Sequence, residues 1–73
     1  MKIYLARYET RNFSFEALGK TEAEALKAMR EGLETHAKQY GLAADWWRKY
    51  ENDLSVHDMT VGACYRDNEP LKA

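Results

Sequence analysis

The chain has 73 residues, 45% of them hydrophobic and 32% charged, with one proline and four glycines. That composition fits one globular domain and argues against disordered, collagen-like and membrane-spanning chains. Eleven basic against twelve acidic residues leave a net charge of −1, which withholds the bulk attraction behind most non-specific nucleic-acid binding.

Residues 2–9 (KIYLARYE) and 12–18 (NFSFEAL) are rich in aromatic and aliphatic types and flank the polar pair Thr10-Arg11, which reads as a β-hairpin. If Glu9 faces Asn12, then Tyr8 faces Phe13, Ala6 faces Phe15 and Tyr4 faces Ala17, so one face is wholly apolar or aromatic. The other face carries Arg7 with Ser14, Leu5 with Glu16 and Ile3 with Leu18, polar near the turn and apolar at the open end. Thr10-Arg11 lacks the Asn-Gly or Gly-X chemistry of two-residue turns, which leaves a longer loop with a shifted register as the alternative.

Gly19-Lys20 ends the second strand, and Thr21 with Glu24 forms a capping box that starts a helix. Leu26, Met29, Leu33, Ala37 and Tyr40 recur at spacings of three and four, with Ala25 and Gly32 widening the apolar stripe. Gly32, which costs a helix interior about 1 kcal/mol relative to Ala, is read as a point of close helix-to-sheet approach. Gly41 supplies the left-handed residue that ends the helix near Tyr40. Residues 42–50 (LAADWWRKY) read as one or two further helical turns. Leu54 to Tyr65 alternates as a long last strand whose apolar phase changes midway, and a bulge near His57-Asp58 or a bend at Gly62 would reconcile the two halves.

The expected fold is therefore a single α+β domain over residues 1–66, in the order β-β-α-(short α)-β, with residues 67–73 a flexible tail. A largely antiparallel three-stranded sheet in the order 2-1-3 carries the long helix on one face, the last strand running beside the first and parallel to the second.

No residue pattern points to catalysis, so the chain reads as a non-enzyme. The two histidines, His36 and His57, stand apart from each other and from Cys64 without metal-ligand spacing, which assigns no metal, and the scattered glycines 19, 32, 41 and 62 make no phosphate-binding loop, which assigns no cofactor. Cys64 is read as a small hydrophobe rather than a nucleophile, and a single cysteine forms no internal disulfide. With no 18-residue apolar run and no charged-then-apolar leader, a cytoplasmic protein is expected.

Binding chemistry is better represented. Adjacent residues on a helix point about 100° apart, so Trp46 and Trp47 do not both fit one small core, and Trp with Arg is the composition of interface hot spots. Residues 1–20 carry +2, residues 21–50 are neutral and residues 51–73 carry −3. Trp46, Trp47, Arg48 and Tyr50 with the acidic Glu51, Asp53 and Asp58 are accordingly the candidate protein-binding surface. The alternative is nucleic-acid binding by the hairpin through Arg7, Arg11 and Lys20 beside its aromatic residues. The last strand, if it forms a sheet edge, offers a route to a homodimer.

The run from Phe13-Ser14-Phe15 through Gly19-Lys20-Thr21-Glu22-Ala23-Glu24-Ala25-Leu26 resembles the strand-to-helix junction of HicB-type antitoxin domains, in which a small sheet feeds a capped helix. The resemblance covers about a fifth of the chain and implies, by analogy, a toxin-neutralising role. The small size, near-neutral charge and lack of a catalytic motif also resemble small phage-encoded inhibitors of bacterial defence systems. The function expected from the sequence is a non-catalytic module acting through protein contact, as an inhibitor or antitoxin-like blocker.

Overall fold

The computed structural model describes residues 1–48 and 53–71. Strands β1 (Lys2–Glu9), β2 (Ser14–Gly19) and β3 (Leu54–Thr60) form an antiparallel sheet in the order β2-β1-β3, and helix α1 (Glu22–Tyr40) packs on one face. The fold is a small α+β domain, in the strand order expected from the sequence.

The hairpin pairs Glu9 with Ser14, Tyr8 with Phe15, Arg7 with Glu16, Ala6 with Ala17 and Leu5 with Leu18, two residues away from the register of a Thr10-Arg11 turn. A four-residue loop replaces the tight turn: the Thr10 N–H donates to the Phe13 carbonyl at 2.8 Å, and the Phe13 N–H donates to Thr10 Oγ1 at 2.9 Å. The threonine hydroxyl closes the longer loop, which needs none of the left-handed residues of a two-residue turn. Because side chains alternate with a period of two, an even shift leaves every residue on the face expected of it.

Helix α1 begins at Thr21, whose hydroxyl accepts the Glu24 N–H at 3.1 Å, while Glu24 Oε1 reaches back to accept the Lys20 N–H at 3.2 Å. It ends at Gly41, in the left-handed region at φ 67°, where the N–H groups of Gly41 and Leu42 both turn back to the Ala37 carbonyl. The buried line of α1 is Ala25, Met29, Leu33 and Ala37, and it meets Ala6 and Tyr8 with the half-buried Tyr4, Phe15, Ala17, Leu54 and Val56 of the sheet.

The glycines correct the sequence reading. Gly32 is exposed and a β-carbon there would meet nothing, so it is not a packing glycine. The close approach lies at Gly19, buried at the end of β2, where an added β-carbon would stand 2.9 Å from the Thr21 carbonyl oxygen and collide with the backbone of Glu24 and Ala25.

The phase change in the last strand needs no bulge. β3 pairs with β1 in unbroken register from Tyr8 with Leu54 to Lys2 with Thr60. Leu54 and Val56 turn to the helix, while His57 and Met59 turn to the opposite face, so each half of the strand is apolar on a different side. The strand is also shorter than expected: it stops at Thr60, and the chain turns through Val61 and Gly62, the latter at φ 92°.

Beyond the turn, β4 (Tyr65–Arg66) and β5 (Glu69–Pro70) pair as a small hairpin through Asp67 and Asn68, at φ 52° and 68°. Where the sequence reading ends the domain at 66 and leaves a tail, the described residues through Leu71 continue this hairpin, and the Leu71 N–H donates to the Cys64 carbonyl at 2.8 Å. The Tyr65 hydroxyl ties it to the sheet by accepting the Thr60 N–H at 2.7 Å. The expected short helix is replaced in its described part by tighter turns, with N–H donations from Trp46 to Ala43 and from Arg48 to Asp45; Lys49 and Tyr50 lie outside the described residues.

Two substitutions separate the glycines. Gly32→Ala is expected to raise stability by about 0.5–1 kcal/mol, because it removes only backbone freedom of the unfolded chain. Gly19→Ala is expected to lower it by about 1–3 kcal/mol, since backbone must shift to admit a methyl group. Urea denaturation measures both; equal effects would contradict this assignment.

Candidate functional site

The residues singled out in the sequence do not converge on one surface. Trp47 is 4% exposed and belongs to the core with Tyr8, Met29 and Leu33. Its backbone carbonyl accepts the Tyr8 hydroxyl over a long 3.5 Å, and the Arg48 guanidinium lies 5.8 Å from its ring centre, a cation–π distance. Trp46 is half-buried, with Nε1 donating to the Leu33 carbonyl at 3.3 Å and its ring edge-on to Tyr8 at 6.1 Å. The tryptophans therefore divide the work, one filling the core and the other sealing its rim. Arg48 and Asp53 are exposed, and Tyr50 and Glu51 lie outside the described residues.

Asp58, at the far end of β3 from Asp53, is exposed and pairs with Lys2 at 3.1 Å. The hydrogen bond between them, reinforced by their opposite charges, holds the Asp58 carboxyl below its ordinary range and the Lys2 ammonium above its own. The stability this pair contributes is present at neutral pH, is lost on acidification as pH falls through the lowered Asp58 value, and is lost in alkali as pH rises through the raised Lys2 value. Exposure and salt keep it small.

The basic residues of the hairpin are likewise dispersed. Arg7 is bound to Glu16 at 3.0 Å, Arg11 is exposed at the hairpin tip, and Lys20 follows the opposite end of β2. About 20 Å of strand separates Arg11 from Lys20, so no single basic patch forms from the three.

An aromatic cluster escaped the sequence reading. The half-buried His36 ring lies 4.6 Å from Tyr40, 4.9 Å from Phe13, 5.0 Å from Phe15 and 5.4 Å from Trp46, centre to centre. The signal was present in His36 and Tyr40, four apart on the helix, and in Phe13 and Phe15, two apart on the hairpin. The cluster joins the Trp46 turn, α1 and the hairpin loop at one end of the molecule.

A further surface is the face of the sheet away from α1. Ile3, Leu5 and Arg7 of β1 share it with Leu18, Glu16 and Ser14 of β2 and with Met59, His57 and Ser55 of β3. Met1 and Val61 extend this alternation one step, joined by a 2.8 Å bond from the Val61 N–H to the Met1 carbonyl. Leu5 at its centre is only 7% exposed, shielded by neighbours on its own face, whereas Leu18 is 60% exposed, Val61 56% and Met1 84%. The patch is apolar at the Met1 end and charged at the hairpin-loop end, as the sequence pattern of this face suggested.

Among the described residues no group of three or more His, Cys, Asp or Glu side chains is arranged to hold a metal ion, and no hydrogen bond links the exposed Cys64 to His57. No helix among the described residues is long and apolar enough to cross a membrane. Comparison with protein-family models, with curated proteins and with solved structures finds no match to this chain.

Replacing Trp47 by Ala is expected to cost about 3–5 kcal/mol, as for other buried aromatic truncations, and Arg48→Ala no more than about 1 kcal/mol, the cation–π contact being exposed. Denaturant midpoints decide it, and a Trp47→Ala protein as stable as the parent would remove Trp47 from the core.

Proposed function

We propose that this chain is a non-catalytic binding module that acts through protein–protein contact, docking its target on the open face of the sheet. The observation that carries the reading is the apolar half of that face, Met1, Ile3, Leu18, Met59 and Val61 around the buried Leu5, which no element among the described residues covers. An apolar sheet face is ordinarily packed against another layer, and contiguous apolar surface left bare on a small domain marks an interaction site.

The role this supports is an inhibitor or antitoxin-like blocker, a domain that works by occupying its target's surface. The HicB-like junction at residues 13–26 agrees with that role. The contact surface differs from the one the sequence favoured: Trp46, Trp47 and Arg48 serve chiefly to hold the hairpin and helix together, and the open face takes the role of hot spot.

Leu18→Glu places a carboxylate on the exposed edge of the patch without touching the core. The target recovered with the wild-type chain is expected to be lost with this variant, while circular dichroism and the thermal midpoint stay close to wild type. Undiminished capture of the same target by a folded Leu18→Glu chain would refute the docking face.

A further inference from the structure

We infer that the chain beyond β3, from the turn at residues 61–63 through the β4–β5 hairpin, is a built-in edge cap. It occupies the outward hydrogen-bonding groups at the Thr60 end of β3 and so blocks addition of β3 from a second copy. The cap acts at the rim of the sheet and not on its open face, so it stands apart from the docking surface proposed above.

The phase of the ladder identifies the outward groups. In an antiparallel pair, residues that exchange hydrogen bonds with the partner strand alternate with residues whose N–H and C=O point away from it. The Val61 N–H bonds the Met1 carbonyl, and β1 and β3 keep one register from Lys2 with Thr60 to Tyr8 with Leu54, so Met59, His57 and Ser55 bond to β1. The Thr10 bond to Phe13 sets the even residues of β1 toward β2, which leaves the odd ones for β3 and agrees with this phase. The backbone groups of Leu54, Val56, Asp58 and Thr60 therefore point outward from the edge.

At the Thr60 end those groups are already used. The Thr60 N–H donates to the Tyr65 hydroxyl at 2.7 Å, and the Thr60 carbonyl accepts the Ala63 N–H at 3.2 Å. The Asp58 carboxylate takes its own backbone N–H as well as the Lys2 ammonium, the latter at 3.1 Å. An incoming strand would have to break the Thr60 bonds and displace a charged pair. The fold delivers Tyr65 to this position: Gly62 at φ 92° turns the chain back, Asp67 and Asn68 close the hairpin, and the Leu71 N–H fixes its far end to the Cys64 carbonyl at 2.8 Å.

β3 has few of the other protections that edge strands carry. Its seven residues, LSVHDMT, include no proline, lysine or glycine, and its register with β1 is free of bulges. The opposite edge, β2, lies beside α1, which packs chiefly on β2 and β1 and little on β3. Without the cap β3 is a template along its whole length, and a second copy brings the same bare edge. The homodimer that the sequence suggested through the last strand is thus the association that the cap holds off.

Tyr65→Phe keeps the ring and removes only the hydroxyl. Hydrogen exchange at the Thr60 amide is expected to accelerate roughly 2- to 10-fold, the range for loss of one hydrogen bond, while the His57 and Met59 amides, bonded to β1, keep their wild-type rates. Sedimentation of the full chain from about 1 μM to several hundred μM covers weak self-association. The wild type is expected to stay at 8.5 kDa throughout, and Tyr65→Ala to rise with concentration toward twice that mass. Adding Asp58→Pro to Tyr65→Ala is expected to restore the monomer, because proline deletes an outward donor without costing a bond to β1. Should either of these variants fail to fold, Tyr65→Phe decides by its Thr60 exchange and its own sedimentation. Four results would each overturn the cap: unchanged Thr60 exchange in Tyr65→Phe, a folded Tyr65→Ala chain that stays monomeric, a wild type that associates as readily, or association that Asp58→Pro leaves intact.

Discussion

Helix α1 rests on the hairpin through very small side chains. Ala25 on the helix and Ala6 and Ala17 on the strands hold the layers close, and Gly19 lets the first turn of the helix lie against the end of β2. Interiors are packed to crystal-like density, so the width of this seam determines which large residues fit beside it. Tyr8, Met29 and Leu33 fill its middle and Trp47 closes one end. The turn that delivers Trp47 also brings Trp46 to the Leu33 carbonyl, so the stretch between helix and last strand acts as a clasp.

One helix of 19 residues covers one face of three strands and no more. Among the described residues the opposite face is covered by no second layer. Its apolar end is thus a product of architecture: the chain has no second helix among its described residues with which to cover it.

Much of this was legible in the sequence because the signals were periodic. The capping box at Thr21, the left-handed stop at Gly41 and the stripe through Met29, Leu33 and Ala37 each rest on local rules that tertiary packing did not override. The hairpin tolerated a misplaced turn because a shift of two residues preserves both faces. What escaped were features with a local signal but a non-local cause. A glycine in mid-helix looks like a packing device, yet only the path of the helix shows that Gly32 faces water and Gly19 faces backbone. The change of phase along β3 looks like a bulge in one strand considered alone; it becomes two half-faces once β1 lies beside it. The Asp67-Asn68 pair had the chemistry of a tight turn, but two-residue strands are too short for alternation to announce them. The tryptophans were recognised as important, and their division between core and rim depended on a turn that sequence periodicity cannot place.

The central strand of the sheet is the first to leave the ribosome. β1 finds β2 across four residues, but its other edge waits for β3, which begins 45 residues after β1 ends at Glu9. Closing so long a loop is entropically costly and slow compared with forming the hairpin and helix. During folding the chain therefore passes through a stage in which hairpin and helix have met while the free edge of β1 is still bare. An unpaired edge of this kind is where incompletely folded chains pair wrongly with one another, so the time β3 takes to dock sets how long each molecule is exposed to that risk.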